Sequence, residues 1–310
     1  MLDLSNNIYQ YYIDHFDELS FEKQFHFASR NYLWSQSPEA SHLLAYMRDT
    51  FTCNGDVAEA IQQLVDSAAA SPTHGSKNAA ELRLPYFQKY PLLKPAVLAL
   101  FRIAFAKNIY KIDARGSLEK FFEAVVLDKL AQQLLADEQA TAILSTHAIN
   151  FLYLYGRVVL EAELFDPAVF LNIGKRAYDL NDLTQLQLLI YLYTHCIIGE
   201  SIFYYRLVPD RHKAVYLSML RELEQLITDR YDDINLDNKF EFLVCAQLLG
   251  TDSSLRSRIN AEAARSLSDD GFYLIDRHNN NPQLDNVSLD RSEHRNVLCV
   301  LANKPFSQLT

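Results

Sequence analysis

Two histidines lie in apolar stretches of similar local sequence, "LSTH" at 144–147 and "LYTHC" at 192–196. His147 and His195 recur at an interval close to 48 residues. If both rings face one cavity, with Glu200 just over one turn after His195, they could form an acid–base set, because histidine titrates near neutral pH. The alternative is that each ring bonds a backbone carbonyl or a hydroxyl inside the core. The sequence favours this structural role and leaves the catalytic one open.

A second polar cluster lies in "SEHRNVL" at 292–298, in an otherwise apolar segment. We predict Glu293 and His294 as acid–base residues and Arg295 and Asn296 as ligand-binding residues. The start of a helix offers unpaired N–H groups and the positive end of its dipole, which suits an anionic or hydroxyl-bearing ligand. A capped helix start that reaches solvent is the alternative, and the two interpretations carry similar weight.

Three further residues complete the predicted site. Glu241, at the start of the apolar stretch "EFLVCAQLLG", is predicted as a catalytic carboxylate together with His195 and Glu200. Tyr155 and Tyr205 are predicted to contact a ligand, as is His147. Since the chain has 18 Tyr and 18 Phe, such aromatic residues more often fill a core than bind a ligand.

Sequence motifs for common cofactors are missing. There is no GxGxxG, P-loop, nucleophile elbow, HExxH or CxxC motif, and 8 scattered glycines could not build the first three. The cofactor therefore stays unknown. Cys245 and Cys299 could in principle join His195 or His294 in a zinc site, but widely separated cysteines in apolar helices are typical of inert core thiols, so we expect no metal.

The elements that must position these residues are helices. Only 8 Gly and 9 Pro interrupt 310 residues, and the apolar periodicity is helical almost throughout, so we predict an all-α protein. The predicted helices span 5–17, 21–34, 38–51, 55–69, 77–90, 93–110, 117–135, 137–160, 166–178, 182–205, 211–232, 237–250, 254–267 and 290–302. An irregular loop is predicted around Pro282.

The predicted helices are of two kinds that alternate along the chain. Those at 117–135 and 211–232 have one apolar face, whereas "AINFLYLYGRVVL" and "LLIYLYTHCIIG" are apolar on nearly all sides and should be buried. Apolar segments recur about every 48 residues, in "HLLAYM", "AVLALFRIAF", the two histidine segments, "EFLVCAQLLG" and "SEHRNVLCVLA".

A period of this size is typical of stacked helical hairpins. We predict an (α/α)6 toroid of about six hairpins around a central cavity, and an open α-solenoid is the alternative. The toroid is favoured because an open array would expose a polar stripe along its inner row. Residues 1–310 are predicted to form one domain, with 1–35 as additional N-terminal helices.

The stretch "DDGFYLIDRHNN" followed by "SEHRNVLCVLA" resembles the glycine-aromatic loop that leads into an inner helix of α/α-toroid proteins. That group includes protein prenyltransferases, terpenoid cyclases and several glycosidases and lyases. The resemblance implies an architecture, and no activity carries over from it.

The overall charge narrows the range of partners. With 29 basic and 39 acidic residues the formal net charge is −10, which disfavours nucleic acid and anionic membranes, and we expect a cytoplasmic protein. The first functional hypothesis is an enzyme that binds a small molecule or peptide in a central cavity lined by Tyr, His and carboxylates. The alternative is a non-catalytic helical-repeat scaffold that binds a partner protein.

Overall fold

A computed structural model describes residues 2–70, 77–275 and 288–307. Within these ranges the protein is all-α and has no strand, which confirms the predicted class. The α-helices are α1 (Leu2–Asp14), α2 (Phe21–Ser35), α3 (Pro38–Thr52), α4 (Val57–Ala70), α5 (Lys77–Lys89), α6 (Leu93–Tyr110), α7 (Ala124–Ala136), α8 (Glu138–Leu144), α9 (Thr146–Leu154), α10 (Ala168–Arg176), α11 (Leu183–Glu200), α12 (Lys213–Asp229), α13 (Leu236–Leu248), α14 (Arg256–Arg265) and α15 (Leu289–Asn303). Short 3-10 helices span Phe16–Glu18, Arg115–Lys120 and Tyr231–Asp233, and a π-helix spans Tyr155–Val159.

The chain divides into two compact units. Unit 1 comprises Met1–Met47, Tyr204–Val208 and Leu220–Thr310, and unit 2 comprises Arg48–Phe203 and Pro209–Met219. The single domain expected over 1–310 stays a prediction. The loop expected around Pro282 lies outside the described residues. None of the described helices is long and apolar enough to cross a membrane.

Unit 1 is built on α15, which packs against α13, α2 and α1. Helices α13 and α15 are apolar on most sides, so burial from several directions at once removes the most apolar surface from water. At the C-terminal end, the Trp34 indole Nε1–H donates to the Lys304 carbonyl at 2.9 Å, and its ring meets Phe306 edge-on. These contacts hold residues 304–306, which follow α15, against α2.

Unit 2 is built on α6, α9 and α11, with α4 against α6 and α10 against α11. Two glycines of this unit allow unusually close helix contacts. A Cβ at Gly199 would lie 2.6 Å from the Tyr153 ring, and a Cβ at Gly174 would lie 2.1 Å from the Tyr193 hydroxyl. Since real Cβ atoms do not approach so closely, glycine is required at both positions.

Three of the predicted helices are interrupted. The helix predicted at 137–160 breaks at Ser145, which has φ 45° and donates its hydroxyl to the Leu188 carbonyl at 3.1 Å. The helix predicted at 182–205 ends at Glu200, and the turn after it holds three consecutive residues with positive φ, Ile202, Phe203 and Tyr204. The helix predicted at 117–135 is a 3-10 turn followed by α7 from Ala124. In the first two cases the deciding feature is backbone conformation, which apolar periodicity does not encode.

The prediction of a buried helix around Ala45 is wrong. Tyr46 is 87% exposed, and only the face of α3 that carries Ala40, Leu44 and Met47 is buried. These residues follow the i, i+4, i+7 spacing of a one-sided amphipathic helix. The buried helix of this part of the chain is α2, with fully buried Phe27 and Trp34.

Candidate functional site

Three helices of unit 1 bring ionisable side chains together. Helix α15 supplies Glu293, His294 and Arg295, all three predicted from the sequence. Helix α13 supplies Glu241 and, one turn earlier, Asp237. Helix α2 supplies Lys23, His26 and Arg30, whose i, i+3, i+7 spacing places them on one helical face. The resulting cluster consists of Lys23, His26, Arg30, Asp237, Glu241, Glu293, His294 and Arg295.

The first pair in the cluster is His26 with Glu293. The His26 Nδ1 lies 2.8 Å from Glu293 Oε1, and Lys23 Nζ lies 3.5 Å from the other carboxylate oxygen. The Glu293 side chain is fully buried. Burial lowers the pKa of His26 to about 4, although the Glu293 carboxylate acts in the opposite direction. Burial would raise the pKa of Glu293, but the interaction with the His26 ring and the charge of Lys23 bring it below its usual value.

The second pair is His294 with Asp237. Burial would lower the pKa of His294, yet its bond with Asp237 raises the pKa above the usual histidine value. The His294 Nδ1 lies 3.7 Å from Asp237 Oδ2, and the Arg295 guanidinium is ion-paired with the same carboxylate. Burial would raise the pKa of Asp237, and His294 and Arg295 lower it instead. The surroundings of His294 therefore favour the charged imidazolium, whereas those of His26 favour the neutral imidazole.

The two histidine rings lie next to each other. The ring centroids of His26 and His294 are 5.5 Å apart, and their side chains are 26% and 43% exposed. In each pair the carboxylate lies against Nδ1, so Nε2 is the atom available to a ligand. Two neighbouring titratable groups with pKa values displaced in opposite directions are typical of acid–base sites.

Further charged groups surround these rings. The Arg30 guanidinium lies 5.1 Å from the Tyr204 ring centroid, and Glu241 is 4% exposed. The Glu241 carboxylate helps to raise the pKa of His294. Three cations, Lys23, Arg30 and Arg295, therefore lie with three carboxylates, and His294, whose pKa is raised, favours a further positive charge within an acidic chain.

Asn296, predicted as a ligand-binding residue, bonds the chain itself. Its Oδ1 accepts from the Leu274 N–H at 2.8 Å, and its Nδ2 donates to the carbonyls of Leu274 and Ser292 at 2.9 and 2.8 Å. This pattern fixes the backbone at Leu274 against α15. Tyr205, also predicted to bind ligand, is half-buried in the turn after α11.

The other predicted residues belong to unit 2. His195 is half-buried, and its Nδ1 lies 2.7 Å from the amide oxygen Oδ1 of Asn150. The His147 ring meets Phe87 edge-on at 5.0 Å, and its Nδ1 lies 3.3 Å from the Thr146 hydroxyl. The 48-residue interval does not give the two histidines equivalent places, since His147 is in the first turn of α9 and His195 in the second half of α11.

Glu200 is the centre of a buried hydrogen-bond network in unit 2. Arg157 donates to Glu200 Oε2 through Nη2 at 2.7 Å, and the Tyr216 hydroxyl donates to the same oxygen at 2.9 Å. Tyr153 joins the network through a 2.9 Å bond between the two tyrosine hydroxyls. Burial raises the pKa of both tyrosines, so they stay neutral. Glu200 thus holds the π-helix that carries Arg157 against α11.

The residues contributed by α2, together with Asp237, were not predicted from the sequence. A signal was present in "FEKQFHFASR", where His26 stands between two phenylalanines and three residues after Lys23. Among the described residues no group of three or more His, Cys, Asp or Glu side chains could hold a metal ion. Cys196, Cys245 and Cys299 are buried free thiols, and Cys53 is half-buried.

Comparison with family models, with curated proteins and with solved structures finds no match to this chain. Its function is therefore inferred from its own residues.

Proposed function

We propose that this chain is an enzyme that catalyses proton transfer on a small anionic substrate at the pair His26 and His294. The observation that carries the proposal is the arrangement of two adjacent, partly exposed histidines, each with Nδ1 against a carboxylate and with ring centroids 5.5 Å apart. A carboxylate at Nδ1 orients an imidazole and leaves Nε2 to exchange protons, as in other carboxylate–histidine sites.

The two histidines take opposite roles. His26, neutral at pH 7, accepts a proton from the substrate or from water through Nε2. His294, favoured as imidazolium by Asp237, donates a proton to the group that leaves or gains charge. An anionic substrate beside His26 stabilises its charged form and raises its pKa towards neutrality, which makes it a better base once the substrate is bound.

The charge of the cluster determines the substrate class. Lys23 is about one-third exposed and lies at the edge of the first pair, so its ammonium can meet an incoming anion. A phosphate or carboxylate group fits the cations of the cluster. The chain as a whole is acidic, so this cluster is a local concentration of positive charge. Glu293 and Asp237 act as positioning residues, since they hold the two rings.

An NMR titration with inorganic phosphate tests this proposal. We expect phosphate to shift the ring C–H resonances of His26 and His294 with saturation and to raise the pKa of His26 from about 4. The control is His147, which lies outside the cluster and should not respond. If phosphate moves neither resonance, or if the two histidines titrate together at an ordinary value, the proposed site is wrong.

A substrate screen gives the catalytic test. The full chain is incubated with phosphorylated and carboxylated small molecules, and products are measured by mass spectrometry. His26→Gln and His294→Gln should each reduce turnover by about 100-fold or more, the usual contribution of a general acid or base. His147→Gln should leave turnover unchanged.

The second candidate is a non-catalytic helical-repeat protein that binds a partner protein. Large apolar side chains on the surface of unit 2 favour it, since Leu84 is 51% and Leu183 54% exposed. A chain that binds a partner yet turns over no substrate in the screen would favour this candidate.

The finer architecture also belongs to the proposal. We infer about six hairpins closed into an (α/α)6 toroid with a central cavity, and an open solenoid is the alternative, on the basis of the recurring buried helices α6, α9, α11, α13 and α15. A cytoplasmic location is part of the proposal, and the lack of nucleic-acid partners is proposed from the net charge of −10.

A further inference from the structure

A cavity in unit 2 is bordered by the π-helix. It has a volume of about 320 Å³ and is lined on its apolar side by Leu118, Phe122, Leu127, Val159 and Leu160. Cavities that bind small molecules commonly measure about 300–1,000 Å³ and are mostly apolar with a few polar groups. The size and lining therefore suit a compact ligand with one ring or a short alkyl chain.

The π-helix gives this cavity a fixed wall. Its Arg157 is anchored to buried Glu200, while Tyr155 and Val159 line the cavity. The widened turn is closely packed at Gly156, where a Cβ would lie 3.2 Å from the Leu164 side chain. Because π-helical turns are rare and occur often at functional sites, this wall is a specific feature rather than ordinary helix packing.

Among the polar side chains that line the cavity, Arg115 and Tyr155 have partners within the chain, whereas Glu119 has none among the described residues. Arg115 is ion-paired with Asp113 and Glu161. The Tyr155 hydroxyl donates to Asp128 Oδ1 at 2.7 Å, and burial raises its pKa, so the hydroxyl stays neutral. Glu119 also lines the cavity, and its exposed carboxylate forms no hydrogen bond or ion pair with any part of the chain that the structure describes.

The unbalanced charge at the cavity is therefore negative. The apolar floor favours a ligand with an apolar body, and the Glu119 carboxylate favours a cationic end. Leu160, which is 40% exposed and lines the cavity, extends the apolar surface to the opening.

We propose that this cavity binds a small amphipathic amine, with its apolar body against Phe122 and Leu127 and its ammonium group at Glu119. The site lies wholly in unit 2. It is independent of the acid–base pair of unit 1, so either proposal can fail without the other.

Three probes with the same apolar body test the charge preference: 4-phenylbutylamine, 4-phenylbutanol and 4-phenylbutanoate. Binding to the full chain is measured by isothermal titration calorimetry. We expect the amine to bind about two- to fivefold more tightly than the alcohol, the range of an exposed ion pair, and the acid to bind most weakly. Binding of the acid that is at least as tight as that of the amine and is weakened by filling this cavity overturns the proposal, as does a lack of saturable binding by the amine.

Variants locate the binding. Glu119→Gln should bring the affinity for the amine down to that for the alcohol and leave the alcohol unchanged. Leu160→Trp, at a partly exposed position that tolerates a larger side chain, should weaken all three probes about tenfold by filling the cavity, and Leu127→Trp provides a second, deeper filling variant. Tyr46→Ser, at an 87% exposed position outside the cavity lining, is the control and should bind all three probes like the wild type. If both filling variants stay folded by circular dichroism and bind normally, the probes bind elsewhere and the proposal is wrong.

Discussion

The ring of Tyr153 in α9 packs directly onto the backbone of α11 at Gly199. A Cβ at Gly199 would lie 2.6 Å from the ring Cγ and 2.8 Å from the Tyr153 Cβ. The ring has little freedom to turn away, because its hydroxyl is bonded to Tyr216 at 2.9 Å and its side chain is fully buried. The close packing of α9 against α11 therefore requires that residue 199 have no side-chain carbon.

Gly199→Ala should lower the free energy of unfolding by about 2 kcal/mol, because the close approach to Tyr153 places the packing cost at the upper end of its range. Forcing a methyl group into a packed interface costs about 1–3 kcal/mol, and the better helix propensity of alanine offsets about 1 kcal/mol of this. Urea unfolding measures the difference. The control is Gly116→Ala, where a Cβ would meet no atom within 4 Å, and its effect should stay within about 0.5 kcal/mol. Equal stability of the two variants would contradict the packing argument.

Asn296→Ala should loosen the backbone around Leu274, which Asn296 holds against α15. The substitution removes bonds to the N–H and the carbonyl of Leu274, which are buried, and we expect a loss of about 2–3 kcal/mol in the free energy of unfolding. Hydrogen exchange gives the specific measurement. The Leu274 amide should exchange faster, and the Ile259 amide of α14, bonded to the Leu255 carbonyl at 2.9 Å, serves as the internal reference. Unchanged protection of Leu274 would show that Asn296 does not hold this segment.

The helical class and most helix positions could be predicted, because apolar residues recur at helical spacing and few glycines or prolines intervene. The predicted 21–34 and 93–110 agree closely with α2 and α6. The break at Ser145 could not be predicted, because serine carries no strong preference for φ 45° and the bond that accompanies it comes from Leu188, 43 residues later.

The candidate site was predictable only in part. Its α15 residues and Glu241 stood out as polar groups in apolar helices, and the structure places them in one cluster. The partner side chains His26 and Asp237 were missed because the periodicity of a local sequence does not show which distant segments pack together. His26 and Glu293 are 267 residues apart in the chain.

Arg157→Met should be among the most destabilising substitutions in unit 2. It leaves the Glu200 carboxylate buried without its guanidinium, and breaking one side of a buried ion pair costs about 3–5 kcal/mol. The double variant Arg157→Met with Glu200→Met removes both charges and should recover much of the loss. Chemical denaturation of the single and double variants measures this. A double variant that is no more stable than Arg157→Met would indicate that the network contributes by shape rather than by charge.

His26 should make the protein less stable in mild acid. Its pKa is about 4 in the folded chain and about 6.5 in the unfolded chain, so the unfolded state binds the proton first as the pH falls. The stability that neutral His26 contributes is complete above about pH 6.5 and is lost as the pH falls to about 4, by up to about 3 kcal/mol. His26→Gln should have a smaller decline over this window, measured by urea unfolding at several pH values. Parallel curves for wild type and variant would contradict the lowered pKa.

His294 should show the opposite pH dependence. Its pKa is raised in the folded chain by Asp237, so the folded state binds the proton more tightly than the unfolded state. This contribution is complete below about pH 6.5 and is lost as the pH rises through the folded pKa. His294→Gln should therefore cost more stability at pH 6 than at pH 9, the reverse of His26→Gln. Two neighbouring histidines with opposite pH dependence, measured in the same unfolding experiment, would confirm that the carboxylate of each pair and the burial of each ring set their pKa values separately. If the loss of stability changes with pH in the same direction for both variants, the two histidines titrate as one group. His26 could then not be assigned as the base and His294 as the acid.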